Sequence, residues 1–187
     1  MATKTLTVLG ASAAGKKTLA GRLIYTCGLD IVQLETLQSH GVDTYAGLIA
    51  FFEEKGMEAS FYAPSARFIV QHTEQPDVAI WLIDASQQTS WDASLMQLKS
   101  LLSETRLQPK EKLLVVANKM DLVDWSSAIL NDLEKRVVNA ALQSSLVPIS
   151  ALKGDNILEI SKLMTASKPQ HGNASSMSQQ SLMQLLG

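Results

Sequence analysis

At 187 residues, with 46% hydrophobic content and a formal charge of −2, the chain has the size and apolar content of one globular domain with a substantial core. The near-neutral balance gives no electrostatic case for direct nucleic-acid binding, and no apolar run approaches the ~18 residues of a membrane span. The opening Met-Ala-Thr-Lys-Thr runs straight into strand-like sequence without a signal-peptide core, so a soluble cytoplasmic protein is expected. The single cysteine, Cys27, has no disulfide partner and no ligands at metal spacing, and reads as a packed thiol.

Thr5 to Leu9 is a β-rich run that ends at Gly10, and Lys17 to Tyr25 follows with Leu19, Leu23 and Ile24 at helical spacing. Val78 to Ile83 and Leu113 to Ala117 are nearly continuous apolar runs, the mark of parallel strands covered on both faces. Helices are expected over Asp92 to Thr105, over Ser126 to Gln143 with Ser126 or Ser127 as N-cap, and over Asn156 to Met164. Leu146 to Ile149 supplies one more short strand. This alternation predicts an α/β domain with a mainly parallel, doubly wound sheet, helices on both faces and right-handed crossovers. From Ser167 onward the composition turns to Ser, Gln, Asn and Gly, so the domain is expected over residues 1–166 and a flexible tail over 167–187. Ser181 to Gly187 could dock as a short amphipathic piece, but a frayed terminus is the expectation.

Gly10-Ala11-Ser12-Ala13-Ala14-Gly15-Lys16-Lys17-Thr18 is a phosphate-binding loop with one departure. The pattern G-x-x-x-x-G-K-[ST] places backbone N–H groups around an oxyanion at a helix N-terminus, with Lys16 reaching the outer phosphates. It asks for a hydroxyl where Lys17 stands, and that hydroxyl ligates Mg2+ in working P-loop proteins. Two cations opening a helix are unfavourable by ~0.3–1 kcal/mol each unless negative charge offsets them, which favours a bound anion.

Asn118-Lys119-Met120-Asp121 follows the Leu113 strand directly, at the edge where a doubly wound sheet presents its ligands. Asp121 is expected to accept both hydrogens of the guanine N1 and N2 edge, which adenine lacks, while Asn118 and Lys119 brace the loop and cover the ring. Ser150-Ala151-Leu152 closes the last strand with small residues that let a backbone amide approach the base carbonyl. His40, His72 and His171 are scattered and suggest surface or helix-face roles. Trp81 is expected in the core, Trp91 and Trp125 as anchors at helix starts, and Asp84 as a turn or cap residue.

These motifs resemble the GTP-binding domain of translational GTPases, in particular the elongation factor one-alpha group with its ribosome-rescue, release-factor and RNA-surveillance relatives. The likeness runs over most of residues 5 to 160. Leu23-Ile-Tyr-Thr-Cys-Gly28 looks like the end of the family's first helix, Asn118 to Asp121 is its guanine motif verbatim, and Val147-Pro-Ile-Ser150 with Gly154-Asp-Asn156 resembles its closing base loop. The catalytic parts depart from it. Where the family carries Asp-Ala-Pro-Gly-His after its third strand, the matching segment here is Tyr62-Ala63-Pro64-Ser65-Ala66, and Lys55-Gly56-Met57-Glu58 replaces the Arg-Gly-Ile-Thr that holds the switch threonine. Met57 to Phe61 spans room for one short strand at ~3.3 Å per residue, so the antiparallel second strand is expected to be missing.

What the resemblance implies is a degenerate, non-catalytic domain that holds GTP or GDP without Mg2+ through Gly10 to Thr18, Asn118, Lys119, Asp121 and Ser150 to Leu152, and that works through a protein partner. No catalytic or metal-ligating residue is assigned. A nucleotide-free scaffold is the second reading, and a GTPase with metal-independent or partner-assisted hydrolysis the third. Translation, mRNA surveillance or elongation-factor handling is the expected setting. The family's two following β-barrel domains are not in this sequence, so delivery of aminoacyl-tRNA is not expected.

Overall fold

The computed structural model describes residues 1–140, 142, 144–159 and 180–187. Six strands form one sheet: β1 (Ala2–Gly10), β2 (Ser60–Tyr62), β3 (Ala66–Val70), β4 (Val78–Asp84), β5 (Lys112–Asn118) and β6 (Leu146–Pro148), in the order β2-β3-β1-β4-β5-β6. All neighbours pair in parallel except β2 with β3. The helices are α1 (Lys16–Cys27), α2 (Ile31–Ser39), α3 (Tyr45–Lys55), α4 (Trp91–Ser103), α5 (Ser127–Asn139) and α6 (Leu182–Leu186). The α/β doubly wound expectation holds.

Strand alternation divides the core in two. Val78, Ile80 and Leu82 of β4 join Leu6, Phe68, Leu114 and Val116 under α1 and α3. Ala79, Trp81 and Ile83 join Val115 and Ala117 under α4 and α5. All seven β4 residues are buried, which is why Val78 to Ile83 reads as unbroken apolar sequence. Trp81 donates its indole N–H to Ser94 Oγ at 3.0 Å, and Trp91 donates to the Asp84 carbonyl at 2.8 Å, so both anchor α4 to β4.

The second strand is present, against expectation. Phe61 pairs with Phe68 and Tyr62 with Arg67 in an antiparallel hairpin whose turn holds Pro64. The chain economises elsewhere, between β3 and β4, where residues 71–77 cross without a helix. Parallel strands usually need a dozen or more connecting residues. Here Val70 and Val78 both pair with Leu6, so β3 leaves β1 at the level where β4 joins it, and the connection need only step over one strand. Threonines on that face of β1 pin the crossing. Thr7 Oγ1 donates to the Gln71 carbonyl at 2.8 Å, and Thr5 gives its backbone N–H and hydroxyl to the Asp77 carboxylate at 2.7 and 2.9 Å. These bonds hold the Asp77 carboxyl below its ordinary pKa, the Thr5 N–H contributing most.

The chain end also differs from the expected tail. Ser181 caps α6 with a capping box to Gln184, and Leu182, Met183 and Leu186 are buried in the α1 side of the core. Residues 156–159, placed at the start of an expected helix, form turns instead. The rest of that helix and the tail through 179 lie outside the described residues.

Candidate functional site

The loop between β1 and α1 is shaped by two glycines. Gly10 leaves β1 at φ 139°, and a Cβ there would stand 2.2 Å from the Leu82 carbonyl oxygen. Gly15, at φ 98°, lies where a Cβ would meet Asn118 Nδ2 at 2.4 Å. Both positions exclude any side chain. Ala13 takes the left-handed conformation at φ 58°, and Ser12 and Ala13 are exposed at the loop's crest while Ala14 is buried. Lys16 Nζ folds back on the loop's opening carbonyls, at 2.9 Å from Gly10 O and 2.7 Å from Ala11 O. Thr18, half-buried, already belongs to α1. The helices α2, α3, α5 and α6 have N-caps whose side chains accept a backbone N–H; α1 has none, and its first turn holds Lys16 and Lys17 with no acidic residue.

Asn118, at the end of β5, ties the loop to the segment around Ala151. Its Nδ2 donates to Ala14 O at 2.8 Å and its Oδ1 accepts the Ala151 N–H at 2.8 Å, with all three residues buried. Ala151's amide, one of the backbone amides in the loop expected to approach a base carbonyl, is therefore committed to Asn118. Lys119 adopts φ 64° and pairs with Asp84 Oδ2 at 2.6 Å, while Asp84 Oδ1 accepts from Ser86 N and Oγ. Asp84 is thus both a turn residue and the ion that fixes Lys119. Asp121, half-buried, sits in the short 3-10 helix Met120–Val123 just beyond. The 150–154 loop closes on itself through Lys153 N to Ser150 Oγ and Gly154 N to Ser150 O, and leaves Leu152 exposed.

Arg22, which no sequence motif marked, reaches from α1 to that loop. Its Nε donates to Ala151 O and its Nη2 to Leu152 O, and its guanidinium lies 4.4 Å from the ring centroid of Tyr45. Lys17 also has a partner invisible in sequence, Glu53 on α3, whose Oε2 is 2.8 Å from Lys17 Nζ. On the β3 side of the loop opens a cleft of about 490 Å3, with Lys16, Lys17, Glu53, Glu58 and His72 on its walls and Val8, Ile49 and Phe52 among its apolar lining. His72, expected on an indifferent surface, faces this cleft. Among the described residues no three His, Cys, Asp or Glu side chains group as a metal ion requires. Burial pushes the Cys27 thiol pKa up, which suits a packed rather than reactive group.

The sequence pattern of the ADP-ribosylation factor family matches residues 65–167, more than half of the chain. The chain belongs to that family. Its fold is also similar to that of translational GTPase G domains. Elongation factor 1-alpha of Serendipita indica is 28% identical over 196 aligned positions, covering 84% of this chain and 42% of the factor. Among solved structures, Sup35 complexed with GDP matches 99% of the chain with a TM-score of 0.69 at 19% identity, over 44% of its own chain. The GTPase-like domain of S. cerevisiae Ski7, bound to GTP, matches 99% with a TM-score of 0.63 at 17% identity, over 49% of its chain. At those identities the structures establish the fold alone. The chain spans less than half the length of the curated relatives it matches.

The resemblance placed the family's Asp-Ala-Pro-Gly-His on Tyr62 to Ala66, but in this family member those residues build the β2–β3 turn. The residues that follow β3 are Gln71-His72-Thr73-Glu74, so a glutamine stands first after the strand and the helix-free crossing takes up the remainder.

Proposed function

We propose that the domain binds guanine nucleotide without hydrolysing it and works by presenting a surface to a protein partner, in the translational or RNA-surveillance setting implied by its resemblance to the elongation factor one-alpha group. One observation carries the reading: buried Asn118 fastens Ala14 of the phosphate loop to Ala151 of the base loop, so both halves of a nucleotide cradle are held in mutual register. Asp121 stands beyond that brace as the guanine-selecting acceptor. The uncapped, doubly cationic start of α1 supports an anion in the loop.

The donor set supports the non-catalytic, metal-free half of the proposal. An ammonium occupies the hydroxyl position and is paired with Glu53, a glutamine follows β3 where translational GTPases have their carboxylate, and Glu58 stands in place of the switch threonine. These residues do not fit a Mg2+ ion bridging outer phosphates. Phosphoryl transfer rests almost wholly on such positioning and charge stabilisation, so its loss removes the chemistry before it removes binding.

Titration calorimetry of nucleotide-stripped protein with GTP, GDP and ATP, each with Mg2+ and with EDTA, tests the reading. Guanine binding that survives EDTA is expected. Strictly Mg2+-dependent GTP binding with turnover would sink it. The scaffold reading has one observation in its favour, the internal pairing of both lysines, and absence of binding to every nucleotide would establish it.

A further inference from the structure

The strand order fixes how a nucleotide lies. Its base belongs at Asn118 and Asp121, beyond β5, and its phosphates at the loop after β1. A polyphosphate extended away from the base therefore runs toward β3. The 490 Å3 cleft opens there, and a third phosphate would enter it. Two carboxylates stand on that cleft. Glu58 is already paired with Arg67, while Glu53 pairs with Lys17.

Resting on the nucleotide reading above, we propose that Glu53 makes this site selective for a guanosine diphosphate over the triphosphate. A diphosphate ends at the loop and Lys16 and leaves the Lys17–Glu53 pair standing. A third phosphate must draw Lys17 away, and then faces an uncompensated Glu53 carboxylate at the mouth of the cleft. Lys16, Glu58 and His72 are the other ionisable side chains on the cleft. With no divalent ion to absorb the added charge, one like-charge contact at the short range of the cleft gives a preference on the order of tenfold.

The test is calorimetry in EDTA with GDP and with the non-hydrolysable analogue GMPPNP, on the wild type, Glu53→Gln and Glu54→Gln. Glu54 loses the same formal charge from α3 but pairs with Lys55 and does not line the cleft. The wild type is expected to favour GDP by roughly tenfold, Glu53→Gln to bring the two within about threefold by tightening GMPPNP, and Glu54→Gln to keep the wild-type ratio. The pair is solvent-exposed, so an unchanged thermal melt of Glu53→Gln verifies that folding is intact. Equal wild-type affinities, an unchanged ratio in Glu53→Gln, or the same change in Glu54→Gln overturn the selectivity while leaving the nucleotide reading in place. A wild type that binds neither ligand overturns both. An added Mg2+ arm in which the metal tightens GMPPNP for the wild type and not for Glu53→Gln makes Glu53 a metal ligand and also overturns it.

Discussion

Replacing Asn118 with alanine separates the architecture of the site from its chemistry. The side chain is 2% exposed and bridges Ala14 O and Ala151 N, both at 2.8 Å. Truncation leaves a buried carbonyl and a buried N–H without partners. Each orphaned group is unfavourable by ~1–3 kcal/mol, so the sum is about 2–6 kcal/mol, with a water entering the vacated space bringing it toward the lower end. In a domain of this size 1 kcal/mol moves Tm by ~2–4 °C, which gives a fall of roughly 12 °C at mid-range. Asp121→Ala removes a half-buried acceptor outside that brace, and its stability is expected within ~0.5 kcal/mol of wild type while guanine preference disappears. Thermal unfolding by circular dichroism, alongside calorimetry with GDP and ADP, reads both quantities. An Asn118→Ala melt within about 2 °C of wild type would refute the brace, because no repacking supplies two lost buried hydrogen bonds.

Gly21→Ala gains ~1 kcal/mol of helix propensity but puts a Cβ 2.0 Å from the Tyr45 carbonyl oxygen, where α3 crosses α1, so net destabilisation of ~1–3 kcal/mol is expected in urea melts; a stabilised variant would show that the helices do not pack that closely. Ending the chain at Gln180 strips three buried side chains, Leu182, Met183 and Leu186, worth ~1.5–3 kcal/mol each, and is expected to remove most of the stability of a marginal domain, a result that a native-like melt of the truncated chain would contradict. Asp77 has a folded pKa below its unfolded one, so its contribution is present above the unfolded value and is lost as pH falls through the folded one. Asp77→Asn should therefore flatten the acid limb of the stability-versus-pH curve below about pH 4, and an unaltered limb would exclude Asp77 as its source.

The parts of the fold legible in sequence are those where local pattern and burial agree. The β4 and β5 runs are apolar throughout because both faces are covered, and their polar ends mark where ligand loops leave the sheet. Ser126 was readable as a cap because its hydroxyl serves Ile129 N, as the position demands. Helix α2 was missed because it buries only Leu37 and leaves Ile31 and Val32 exposed, so no apolar stripe announces it. The Ala63-Pro64 pair drew the third strand out of place by resembling a family motif, while its real function is to turn the chain between β2 and β3. For α6 the signal was present, Ser181 with Gln184 three residues on, but polar composition outweighed it. The Lys17–Glu53 and Arg22–Ala151 contacts join residues 36 and 129 positions apart, and no periodicity encodes such pairs.

The two ends of the site are held by different physics. At the base end Asn118, Ser150 and Ala151 are almost fully buried, and their hydrogen bonds form where water cannot compete. Arg22 links that unit through α1 to Tyr45 at the start of α3. At the phosphate end the Lys17–Glu53 pair has side chains 55% and 61% exposed, a class of contact worth ~0–1 kcal/mol and weakened by salt. On the proposed reading, a ligand thus meets a preformed base reader and a readily rearranged phosphate end. Because α3 carries Glu53 near its end and Tyr45 at its beginning, any rearrangement at Lys17 acts on the same helix that Arg22 fastens to the base loop. On the proposed reading, that helix is the element through which occupancy of the cradle changes the surface a partner meets.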